Sequence, residues 1–130
     1  MSRCLDKAAL DQWYALETET EIPFGRSRNR LLGTDLTVMR SNDGTLVVNA
    51  DGRVEPLPLL HRFGLVWTTL GTPAGGLFDL PEADEPDRRV VNCGTVAVRA
   101  SGLRIVENFL DLAHFPFVHT DILEIGRAHV

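Results

Sequence analysis

Short apolar stretches broken by turn residues dominate the first half of the chain. Trp13-Tyr14-Ala15-Leu16 is an aromatic and apolar run that reads as a strand, after a short helical or loose lead-in over Met1 to Asp11. Glu17 to Gly25 is polar, punctuated by Pro23 and Gly25. Arg26 to Leu32 and Asp35 to Arg40 read as strands joined at Gly33-Thr34, and in the second Leu36, Val38 and Arg40 alternate with Thr37 and Met39. Ser41-Asn42-Asp43-Gly44 predicts a tight hairpin, because Asn, Asp and Gly tolerate positive φ. Thr45 to Asn49 returns as a strand, and Asp51-Gly52 marks a second turn. Arg53 to Leu60 carries Pro56 and Pro58 and reads as an edge or irregular segment. Phe63 to Leu70 is the best buried-strand candidate.

The pattern then changes. Thr72 to Arg89 is rich in Gly, Pro and acid and predicts a linker or covering loop with a solvated charge run. Val90 to Ala100 predicts another strand from its β-favouring residues. After Ser101-Gly102, the spacing predicts a helix from Leu103 to about Ala113, with Ile105, Val106, Phe109, Leu110, Leu112 and Ala113 on one broad apolar face. Arg104, Glu107, Asn108, Asp111 and His114 gather on the other face. The expected class is α+β, mostly β: a small antiparallel β domain, then the first strand and helix of a truncated α+β domain.

Charge narrows the function. The chain has 18 acidic and 13 basic residues and a net charge of −5, which argues against nucleic acid or an anionic membrane as the main partner. No apolar run approaches the roughly 20 residues that span a bilayer, and the polar start has no signal core, so a cytoplasmic protein is expected. Cys4 and Cys93 are far apart and form no C-x-x-C or C-x-H spacing, which argues against a disulfide framework or a zinc site; Cys93 reads as a small buried strand residue. Arg26, Arg28 and Arg30 share one face of their strand. That face reads as a solvated edge that discourages edge pairing, with docking of an acidic reductase as the alternative.

The chemistry concentrates in Glu107-Asn108-Phe-Leu-Asp111-Leu-Ala-His114-Phe-Pro-Phe-Val-His119. An amphipathic surface helix with a solvated polar stripe accounts for its periodicity. Three details point further. Asp111 and His114 are helix neighbours three apart, so a carboxylate can fix the imidazole tautomer, as metal-bound histidines require. Pro116 ends the helix and can bring His119 back beside His114. Phe115, Phe117 and Val118 supply apolar surroundings that suit neutral imidazoles on iron(II), held by two histidines and one carboxylate.

The pattern E-N-x-x-D-x-x-H-x-x-x-x-H closely resembles the mononuclear iron motif of Rieske-type non-haem iron ring-hydroxylating oxygenases, large subunit. The resemblance implies that His114 and His119 are iron ligands. It also implies that Asp111 is the bridging aspartate coupling the iron to a neighbouring subunit's cluster, and that Asn108 supports the catalytic site. Trp13-Tyr14, Arg30-Leu-Leu-Gly33, Leu36-Thr-Val38 and Asp43-Gly44-Thr45 look like the opening strands of that family's Rieske domain. Asp51-Gly52-Arg53, Leu57-Pro58 and Gly64-Leu-Val-Trp67 look like its closing strands. The implied domains are a degenerate Rieske-like β domain over 1–71, a linker over 72–89, and the start of a catalytic domain over 90–124.

Two departures accompany this resemblance. A [2Fe–2S] Rieske centre takes two cysteines and two histidines, which the family supplies as C-x-H and C-x-x-H. Here Leu46-Val-Val48 runs through Asn49-Ala50 directly into Asp51-Gly52-Arg53, and both motifs are absent. His61 reads as an ordinary loop or strand histidine. The third iron ligand, a downstream carboxylate in the family, is missing as well. His119-Thr-Asp121 has the H-x-D spacing of 2-oxoglutarate-dependent enzymes, but nothing else fits that class. Ile125 to Val130 resembles a translated sequencing adapter and is set aside.

The resemblance implies oxygenation of an aromatic or similarly apolar small molecule with O₂. It further implies electrons from a reductase or ferredoxin and a homotrimer in the full-length form. The other readings are a non-catalytic subunit-packing module and an inactive gene fragment.

Overall fold

The computed structural model describes residues 2–111. The chain divides into two units, Met1–Thr95 and a second beginning at Val96. The first is built on six strands: β1 (Tyr14–Thr18), β2 (Gly25–Leu31), β3 (Thr34–Arg40), β4 (Leu46–Ala50), β5 (Leu59–Arg62) and β6 (Leu65–Thr68). A one-turn helix, α1 (Lys7–Leu10), precedes them. They form two three-stranded antiparallel sheets, ordered β1-β6-β5 and β2-β3-β4. The expected mostly-β antiparallel class is what forms.

Alternation along the strands explains the core. Leu36 and Val38 of β3, Val48 and Ala50 of β4, and Val66 of β6 are buried together with Ile22, Leu57 and Leu70. One apolar cluster thus draws on both sheets, and the intervening residues of β3 and β4 face outward. Arg40 extends from the end of β3 and donates to the Glu19 and Ile22 carbonyls (3.1 and 2.7 Å), fixing the β1–β2 loop. Arg53 donates to the Leu70 carbonyl at 2.6 Å and so ties the β4–β5 connection to the chain leaving β6.

Turn chemistry sets the registers. Ser41–Thr45 closes as expected, with the Gly44 amide on the Ser41 carbonyl (2.9 Å) and the Thr45 amide on Asp43 (3.0 Å). The β2–β3 and β5–β6 hairpins turn through Leu32-Gly33 and Phe63-Gly64, with φ of +48°/+78° and +57°/+68°. Positive φ at both central residues gives the reverse twist that two-residue hairpins favour. The turns therefore begin at Leu32 and Phe63, two bulky residues, and strand β6 is shorter than the expected Phe63–Leu70. Leu59–Leu60 opens β5, an edge strand of its sheet as the edge reading has it, while Arg53–Pro58 remains outside the ladder.

Between β4 and β5 the chain makes a compact reversal. The Asp51 amide reaches the Asp35 carbonyl (2.9 Å), Arg53 the Ala50 carbonyl (3.1 Å), and Leu57 the Val48 carbonyl (2.7 Å). The junction that lacks C-x-H and C-x-x-H is thus a closed, hydrogen-bonded turn.

The segment after β6 lies along the β unit like a strap. The Asp11 carboxylate accepts from the Thr72 amide (2.7 Å), and Trp13 donates to the Gly75 carbonyl (2.8 Å). Phe78 stacks on Phe63 and meets Trp67 edge-on, and Arg62 pairs with Asp84 of the 3₁₀ turn Pro81–Asp84. Asn92 donates to the Phe63 carbonyl (3.1 Å), and Thr95 donates its hydroxyl to Glu21 (3.0 Å).

The strand expected over Val90 to Ala100 does not form. Its residues have no ladder partner among the described residues, and Gly94 takes φ +88° against the Glu21 carboxylate. Val90, Val91, Val96 and Val98 are exposed, as is Cys93, which corrects its expected burial. β-Branched residues favour a pleated, half-buried surface and do not create one alone. Among the described residues, no helix is long and apolar enough to cross a membrane.

Both carboxylates that clasp the strap are acidified. Glu21 is held below its ordinary value by hydrogen bonds from Thr18 and then Thr95, and Asp11 by Lys7 and then the Thr72 amide. A depressed folded-state value stabilises the clasp above the ordinary carboxylate range and loses that contribution as pH falls through it. Amide protection at Thr72 and Thr95 is expected to drop below about pH 4 while that of Val48 holds. Glu21→Gln should reproduce the loss at Thr95 at neutral pH. Protection at Thr95 unchanged by both acid and this substitution would show that Glu21 does not hold the strap.

Candidate functional site

Helix α2 (Gly102–Leu110) opens the second unit's chemistry. Ser101 caps it: its hydroxyl accepts from the Arg104 amide (3.3 Å) and its carbonyl from the Ile105 amide (3.2 Å). Arg104 and Glu107, three apart, form an exposed ion pair at 3.1 Å. Asn108 lies in the last turn, exposed.

Asp111 is not a helical residue. It is the C-cap, with φ −81° and ψ 96°, and its amide closes the last turn on the Glu107 and Asn108 carbonyls (3.0 and 3.3 Å). This corrects the expected helix to about Ala113 and removes the helical three-residue spacing as the reason for an Asp111–His114 contact. The cause is visible in the helix. No side chain of α2 is buried, so packing does not extend it, and its last turn holds no basic residue. The apolar side chains Leu103, Val106, Phe109 and Leu110 are exposed, Phe109 at 75%.

His114 and His119 lie outside the described residues, as does Asp121. Asn108 and Asp111, the expected supporting and bridging residues, are therefore the described half of the expected site, three residues apart at the exposed end of α2. Among the described residues, no group of three or more His, Cys, Asp or Glu side chains is placed to hold a metal ion. Cys4 and Cys93 are separate free thiols, and His61 pairs through Nδ1 with Glu19. The described residues thus do not fit a [2Fe–2S] centre.

No family model matches the chain. Over 115 residues it is 42% identical to a protein of Pseudomonas sp. (strain TJI-51) named "Probable methylxanthine N7-demethylase NdmC". The chain is similar to an N-demethylase. That alignment takes in 88% of this chain and 40% of the relative, so the chain spans less than half the length of the relative it matches.

A second group of polar residues collects elsewhere, on the outer face of the β2-β3-β4 sheet. The sequence places Arg26, Arg28 and Arg30 together, but only the strand register sets Thr37 and Asn49 beside them.

Ser101→Ala is expected to cost α2 about 1 kcal/mol and to lower amide protection at Arg104 and Ile105, with Ser101→Asp retaining it. Equal protection in Ser101→Ala would mean that the cap does not set the helix start.

Proposed function

We propose that the chain is part of a Rieske-type non-haem iron oxygenase acting on an aromatic or similarly apolar small molecule, of the N-methylated purine class. The observation that carries this reading is the coincidence of the E-N-x-x-D-x-x-H-x-x-x-x-H segment with 42% identity to a methylxanthine demethylase. His114 and His119 would hold the iron, which when bound supplies O₂ activation. Asp111, which caps the helix in an extended conformation, would orient an imidazole. Asn108 would support the site. The third ligand, the electron-donating reductase or ferredoxin, and a homotrimeric assembly belong to this proposal.

A second reading, a subunit-packing module, is favoured by one observation. The β unit closes fully at Asp51–Arg53 without any set of cluster ligands among the described residues. Iron(II) titration of the purified chain separates the two. The oxygenase reading expects one weak, chelator-labile site, lost in His114→Ala and in His119→Ala and kept in His61→Gln. Identical titrations of His114→Ala and the unaltered chain would overturn the ligand assignment and favour the packing module.

A further inference from the structure

The outer face of the β2-β3-β4 sheet reads in rows set by its register. One row is Arg28, Thr37 and Asn49, side by side across three strands. The row on one side begins with Arg30 and Asp35, which pair at 2.8 Å, and Asp51 nearby pairs with Arg3 at 3.0 Å. These carboxylates are thus already matched by arginines. Neither Arg26 nor Arg28 forms an ion pair among the described residues. A shallow cleft of about 340 Å³ opens over this area, lined by Arg26, Arg28, Thr37, Asn49, Gly52 and Arg53 together with Asp35 and Asp51. Gly52 admits the Arg3 guanidinium at its edge, where an added Cβ would lie 3.4 Å from it.

Edge-strand arginines commonly serve only to discourage sheet pairing. That explains charge on β2. It does not explain two neutral hydrogen-bonding side chains in the same row. In a chain of net charge −5, neither Arg26 nor Arg28 has a carboxylate within ion-pair distance among the described residues. Asp35 is held below its ordinary value by Arg30 first, with Arg28 and Arg3 adding to the effect.

We propose that this cleft binds a small multivalent oxyanion of the phosphate class, with Arg26 and Arg28 as its charged ligands and Thr37 and Asn49 as neutral partners. Guanidinium forks suit such oxygens, and successive same-face arginines stand about 7 Å apart on a strand, the reach of a two-centre anion.

The test is a titration of the full chain with inorganic pyrophosphate at fixed ionic strength, followed by amide chemical shifts. The expected result is saturable shifts at Arg28, Thr37, Asn49 and Gly52, weakened about tenfold in Arg28→Gln and likewise in Arg26→Gln. Arg104→Gln should leave them unchanged. Because these side chains are exposed, unaltered shifts elsewhere in each variant would confirm its fold. Shifts that sodium chloride reproduces, or that both arginine variants retain at full affinity, would overturn the proposal. Saturation by a hexaglutamate peptide but not by pyrophosphate would also overturn it, making the face a dock for an acidic protein.

Discussion

Two three-stranded sheets share one apolar cluster, and the architecture of the first unit follows from that constraint. Leu36, Val38, Val48 and Ala50 come from one sheet and Val66 from the other, so neither sheet buries its inner face alone. A three-stranded sheet becomes stable only by burying its apolar face, and here each sheet does so against the other. The links between the sheets therefore matter as much as the ladders. Arg40 fixes the β1–β2 loop, Arg53 reaches the chain leaving β6, and Thr68 donates to the Pro58 carbonyl at 2.9 Å. These three donors each reach a backbone carbonyl, while Arg40 Nε stays buried with no partner among the described residues.

The same constraint gives meaning to the β4–β5 turn. Its three backbone hydrogen bonds and the Arg53 contact complete the fold at the junction where the sequence has neither C-x-H nor C-x-x-H. The unit is closed without either motif. The chemistry under the proposed function accordingly rests on the helix α2 segment, whose polar end carries Asn108 and Asp111 and whose apolar side chains are exposed.

Much of this was legible in the sequence where local chemistry dictates geometry. Asn42-Asp43-Gly44 announced its turn, and the alternation of Leu36 and Val38 announced the inner face of β3. The β2–β3 tip lies one residue before the expected Gly33-Thr34, and the Phe63-Gly64 turn fell inside an expected strand, because Leu32 and Phe63 take a positive φ that their side chains disfavour. Val90 to Ala100 misled because a strand is a property of two segments, and composition reports only one. The end of α2 misled because apolar periodicity runs on past Leu110 while no side chain of the helix is buried to extend it by packing. The arginine face was visible along β2, but Thr37 and Asn49 entered only through cross-strand pairing. His114 and His119, the residues most prominent in the sequence, lie outside the described residues, so their assignment rests on the motif.

The most direct test of a β unit closed without a cluster is anaerobic reconstitution of the chain with iron and sulfide, read by visible absorption, acid-labile sulfide and thermal unfolding. The account predicts cooperative unfolding of the β unit, no charge-transfer bands and no retained sulfide. A stoichiometric, chelator-resistant [2Fe–2S] centre that raises the unfolding temperature would contradict it.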